Sequence, residues 1–217
     1  MILVRSFRFV TTVSIVGLMA VCIERGASVL SFALANGSYG GANSLEKLQA
    51  YGHTPGVARF AHRDYVFAQG VDVAARSDAL TELLALTPLE SAAWQNLAVL
   101  RLASGEKLEA ILGALSVSAM TGPNEAPVML MRAVLGIRLW SFMPPELRRT
   151  IASDIIGSWS VAEESSKSNI RSGLALATMQ SREELRALLL ASGPKAQVIS
   201  TALGLEATPR IEEKAGQ

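Results

Sequence analysis

Residues 88–122 read PLESAAWQNLAVLRLASGEKLEAILGALSVSAMTG, and Pro123 follows. Thr87-Pro88-Leu89-Glu90 has the form of a capping box with proline at the first helical position, so a helix is expected to begin at Pro88. Gly122-Pro123 is the stop signal for the helix before it. A shift of thirty-five residues lays Pro88 on Pro123, Glu90 on Glu125, Ala98 on Ala133, Val99 on Val134, Leu100 on Leu135 and Leu102 on Ile137. A weaker, earlier copy opens at Pro55. Self-similarity at a period near 34 residues marks arrays of paired helices.

The flanking chain carries the same punctuation. Ser181-Arg182-Glu183-Glu184 is a second capping box, opening a helix over residues 182–191, and Gly193-Pro194 ends it. Pro144-Pro145 breaks the chain and starts residues 146–159. Ala and Leu dominate, which favours helix. No alternating apolar and polar run is long enough to propose a sheet, so the fold class expected is all-α.

Composition narrows the function classes. Half of the 217 residues are hydrophobic, too many for a disordered chain. A net charge of +1 gives no broad basic footprint for nucleic acid, and none is expected as a partner. One cysteine makes neither an internal disulfide framework nor a multi-cysteine zinc site. The mean hydropathy of +0.31 directs attention to a membrane segment.

That segment lies at the N-terminus. Arg5 and Arg8 precede residues 9–23, fifteen residues without charge, and Glu24-Arg25 closes the run. A positive region followed by an apolar one reads as a transmembrane anchor or a signal helix. The run is shorter than the roughly 20 residues of a comfortable span. Apolar residues 1–4 and snorkelling arginines lengthen it. Retention is the leading expectation, with residues 9–23 in lipid, a cytoplasmic N-terminus and the rest of the chain outside the cytoplasm. Ala33-Leu34-Ala35 keeps signal cleavage and release to the periplasm as the alternative. The expected layout is an anchor or signal over 1–26, a first amphipathic segment and Gly-rich linker over 27–50, a helical body over 51–205 and a disordered tail over 206–217.

Trp94, Leu97 and Ala98 look like the opening of helix A in a tetratricopeptide repeat, Gly105 stands at its turn, and Ala110 is where helix B needs a small residue. Residues 88–122 resemble one such repeat, and the next unit is more degenerate, with Arg132 in place of Leu97. The resemblance implies antiparallel helix pairs stacked as an α-solenoid. It also implies a groove face containing Ala92, Gln95, Asn96 and Val99. The lysine of peptide-clamping repeats is replaced by Ala92, which leaves a generic binding face. In organisation the chain resembles small envelope-associated helical-repeat proteins of alphaproteobacteria, some of which accompany polysaccharide assembly machinery.

Chemistry-bearing residues are sparse. His53 and His62 are separated by Pro55 and lack a second ligand at metal-binding spacing, so both are expected at the surface or in caps. Cys22 sits in the apolar run without a base beside it. The glycines of residues 37–43 lack the Lys-Ser/Thr of a phosphate loop and read as a linker. Ser165-Ser166-Lys167-Ser168 reads as a polar loop. Arg132, Arg138, Arg148 and Arg149 form the one charged cluster, suited to carboxylates or phosphates, or to a buried ion pair among solvated arginines. Neither a cofactor, a metal nor an enzymatic activity is expected. The function expected is a membrane-anchored periplasmic scaffold or adaptor that holds another envelope protein through Gln95, Asn96, Val99, Arg132 and Arg138. One alternative is an accessory subunit of a membrane complex, held by its transmembrane helix; a remoter one is an enzyme whose pocket gathers Arg132, Arg138 and a histidine.

Overall fold

A computed structural model describes residues 2–36, 44–68 and 70–206. Every element among them is a helix, and they contain no strand. The Gly-rich segment 37–43 and the tail from residue 207 lie outside the described residues. The chain divides into two compact units, Met1–Pro88 and Leu89–Gln217.

The first unit contains α1 (Ile2–Asn36), α2 (Ser44–Tyr51), α3 (Ala58–Phe67) and α4 (Val73–Leu86). Helix α1 does not stop at Glu24-Arg25. It runs on through the small-residue cleavage pattern at Ala33-Leu34-Ala35 for 35 residues. It is long and apolar enough to cross a membrane, with a window at Val13–Ala33 of hydropathy 1.7. Val16, Leu18, Met19 and Ile23 all face outward. Near the end of α1 the surroundings change: Phe32 is buried and meets the Tyr51 ring edge-on at 5.4 Å. Helices α3 and α4 pack together, and α2 rests on α3. Asp72 caps α4 by accepting from the Ala75 N–H at 2.9 Å.

The second unit holds α5 (Ser91–Ala103), α6 (Leu108–Thr121), α7 (Ala126–Leu139), a 3-10 turn (Trp140–Phe142), α8 (Pro145–Ser158), α9 (Glu164–Ala175), α10 (Met179–Ala191) and α11 (Pro194–Ala202). α5 packs chiefly on α6 and α7 on α8; α7 also touches α5 and α9, and α8 touches α10 and α11. Ala98 and Ala133, related by the thirty-five-residue shift, both have no exposed surface, so the same register buries both helices. Trp94 is only half-buried.

Two start signals are displaced. Thr87 does not cap α5: its hydroxyl donates to the Leu83 carbonyl at 2.9 Å and closes α4, and α5 starts at Ser91 behind Glu90. Likewise α10 starts behind Thr178, whose Oγ1 accepts from the Ser181 N–H at 3.1 Å, three residues before the expected cap. Ser166 and its neighbours, expected in a loop, open α9, which is held by buried Ile170 and Leu174 four residues apart.

The two hairpins turn differently. Gly105 sits at φ +68°, a left-handed conformation that glycine adopts without strain, and the α5–α6 turn is tight. Arg101 braces that turn, its Nη1 donating to the Ala110 carbonyl at 2.9 Å. One period later the residue is Trp140, and the chain passes through a 3-10 turn and Pro144-Pro145 instead. Helix α8 therefore begins 37 residues after α6 (Leu108 to Pro145), although α7 begins 35 after α5 (Ser91 to Ala126). Gly136 lets α7 and α8 close: a Cβ there would lie 2.7 Å from Ile151 Cδ1.

Candidate functional site

Gln95, Asn96, Val99 and Leu102 lie on α5 at helical spacing. They line a cavity of about 380 Å³ together with Leu130, Met131, Val134, Leu135 and Arg138 of α7 and Ser166 and Asn169 of α9. Shifted by thirty-five residues, Gln95, Asn96 and Val99 fall on Leu130, Met131 and Val134, and all six line the one groove. Ser166 and Asn169, three apart on α9, add a third wall.

The walls are mainly apolar. Val99 and Met131 are about two-fifths exposed. Gln95 is buried, at 2% exposure, and its Oε1 has no hydrogen-bond partner. Arg138 is the single charged residue of the lining. Among the described residues it has no hydrogen bond or ion pair.

The other three arginines of the cluster go elsewhere. Arg132, expected on the binding face, has no exposed surface. It replaces Leu97 at a core-facing register position, and each of its nitrogens is used within the protein. Nε donates to Asp154 Oδ2 at 2.8 Å and Nη2 to Asp154 Oδ1 at 2.9 Å. Nη2 also donates to the Gly122 carbonyl at 3.1 Å and Nη1 to the Ser118 carbonyl at 3.0 Å. Ser118 Oγ in turn donates to the Ser91 carbonyl at 2.9 Å, and Ser158 Oγ to the Asp154 carbonyl at 2.6 Å, so one buried network ties α5, α6, α7 and α8. Burial pushes the Asp154 carboxyl above its ordinary value; the hydrogen bonds and charge of Arg132 draw it back only in part. Arg148 joins α8 to α10 through Glu184, and Arg149 pairs on the surface with Glu146 three residues before it. Of the four, Arg138 alone faces the groove.

The histidines separate too. His53 is exposed, whereas His62, expected at the surface or in a cap, is buried with its Nε2 3.0 Å from the carbonyl of Gly52, just past the end of α2, and 3.3 Å from Glu82 Oε2. They border a cavity of about 260 Å³ in the first unit with Gln49, Tyr65, Asp78 and Glu82. Among the described residues no group of three or more His, Cys, Asp or Glu could hold a metal ion. Cys22 is exposed on α1.

Gln95, Asn96 and Val99, which the tetratricopeptide resemblance implied, line one cavity with Arg138 of the charged cluster, whereas Ala92, implied with them, is not in its lining. Leu130, Met131, Val134, Leu135, Ser166 and Asn169 were not named. The thirty-five-residue shift points to the three of these that match α5, while Ser166 and Asn169 required α9 to be recognised as a helix. Comparison with protein-family models, curated proteins and solved structures gives no match.

Proposed function

We propose that this chain is a non-enzymatic adaptor of the bacterial inner membrane, anchored by α1, whose periplasmic helical-repeat body seats another cell-envelope protein in the groove of α5, α7 and α9. The observation that carries the reading is the groove itself: equivalent faces of two repeat-related helices, joined by a third, leave apolar surface and an unpaired Arg138 open to a partner. The pairing of α5 with α6 and of α7 with α8, with α7 between α5 and α9, supports a degenerate tetratricopeptide-like array. By its resemblance in organisation, polysaccharide assembly or export is the process such an adaptor would serve.

The anchor is placed with the charge-free residues 9–23 in the hydrocarbon core and Arg5 and Arg8 snorkelling to its cytoplasmic edge. Residues 2–23 of the helix are about 33 Å long, enough for a core of about 30 Å. Placing the window Val13–Ala33 in lipid would sink Glu24 and Arg25 near mid-depth, at roughly 2.5–3.5 kcal/mol each by insertion scales, and would draw Phe32 off Tyr51. The last part of α1 then acts as a rigid stalk onto the body. Arg5 and Arg8 orient it with the N-terminus in the cytoplasm.

A second reading, an accessory subunit held within a membrane complex by α1, is favoured by the exposed apolar surface of that helix. A photo-crosslinking amino acid at Met131 or at Leu18 in the full-length membrane protein separates the two. The adaptor reading predicts a protein adduct from Met131 and lipid adducts from Leu18. Adducts to protein from Leu18 alone would reject it. A C-terminal reporter fusion tests topology, and reporter activity in the cytoplasm would sink the periplasmic placement.

A further inference from the structure

We infer that the groove of α5, α7 and α9 takes an extended peptide segment with an acidic side chain, whose backbone N–H meets Gln95 and whose carboxylate meets Arg138. This rests on the adaptor reading and specifies the partner's chemistry. Two observations carry it. Gln95 Oε1 is a buried acceptor without a donor, on the wall of an open cavity. Buried polar groups in proteins are nearly always paired, so an orphaned acceptor at a groove matches a donor brought by a ligand. The last torsion of a glutamine is broad, so the amide turns toward such a donor at little cost. Arg138 is the single charge in the lining and has no partner among the described residues, which suits one carboxylate. A phosphate dianion calls for more cations than this.

Leu130 is the counterpart of Gln95 under the thirty-five-residue shift, and Arg138 follows it by eight residues, about 12 Å along α7. Gln95 stands to the side on α5, so an extended chain needs at least about four residues, at about 3.3 Å each, to join the two. Between the two polar ends stand Val99, Met131 and Val134, so the intervening side chains are aliphatic. Arg138 lies in the last turn of α7 and is exposed, which leaves room for the chain to continue past it. The carboxylate is therefore assigned to an internal glutamate or aspartate and not to a chain terminus.

The test is fluorescence anisotropy on the full-length chain in lipid nanodiscs. The probe is the blocked, dye-labelled peptide Ser-Ala-Leu-Val-Glu-Ser, acetylated and amidated. Binding is expected, weakened about tenfold when the peptide glutamate becomes glutamine or when the protein carries Arg138→Gln, the size of a lost charged hydrogen bond. Gln95→Leu should weaken binding several-fold while leaving the thermal midpoint unchanged or higher, because it removes an unpaired buried polar atom; a purely structural Gln95 would lower the midpoint and leave affinity alone. Absent binding, equal binding of the glutamate and glutamine peptides, or an unaffected Arg138→Gln would overturn the ligand assignment. So would binding that requires a free C-terminal carboxylate. The adaptor reading fails separately, by loss of the Met131 crosslink to protein.

Discussion

Arg132 stands thirty-five residues after Leu97, and the exchange of an apolar residue for a cation in the core has a partner to match it, Asp154, 22 residues later. Removing one member of such a pair strands the other as a buried charge, costing about 3–5 kcal/mol, whereas replacing both by apolar residues of similar size is often neutral or better. Arg132→Met should therefore lower unfolding free energy by about that amount, and Arg132→Met with Asp154→Leu should recover most of it, as read by urea denaturation. A single variant as stable as the parent would contradict the network. Gly136→Ala places a methyl against Ile151 and should cost about 1–3 kcal/mol by overpacking in the same measurement. The departure of Arg132 from the repeat pattern was legible in the sequence. Its partner was not: Asp154 lies in α8 at a spacing that no local pattern connects to α7, and only packing brings them together.

Helices as elements were more legible than their ends. The all-helical class and the stop at Gly122 follow from composition and glycine placement, and the turn at Gly105 was implied by the tetratricopeptide resemblance. The starts at Thr87 and Ser181 were displaced because a hydroxyl three residues from a plausible N-cap has competing backbone partners: Thr87 bonded backward to Leu83, and Thr178 took the cap of α10. Helix α9 was hidden by its serines, although Ile170 and Leu174 carry its buried face. The α8–α10 contact predicts a pH response. Gln180, Trp140 and Arg148 donate to Glu184 and hold its carboxyl below the ordinary glutamate value of 4.5. A depressed folded value means that this contact adds stability above 4.5, and that the increment is lost as pH falls through the folded value. Denaturation midpoints compared from neutral pH to below 4.5 should fall less steeply for Glu184→Gln than for the parent. Parallel slopes would show that Glu184 does not titrate against these donors.

At the scale of the whole chain, the anchor and the groove have separate evidence in the residues. Arg5, Arg8 and the charge-free run announce a helix apolar enough to cross a membrane, but its continuation to Asn36 and the contact of buried Phe32 with Tyr51 are not announced by the sequence. The groove was half visible, because one period relates α5 to α7 while nothing in the sequence relates α9 to either. Binding through the groove is the central claim, and a capture experiment on membranes tests it most directly. The full-length chain and its Val99→Asp, Met131→Asp variant, both with α1 intact, are solubilised from membranes and purified with whatever they hold. The variant should stay in the membrane fraction with unchanged helix content by circular dichroism, and should lose the envelope protein that the parent retains. Retention of that protein by the folded variant would contradict the account and place the attachment on α1.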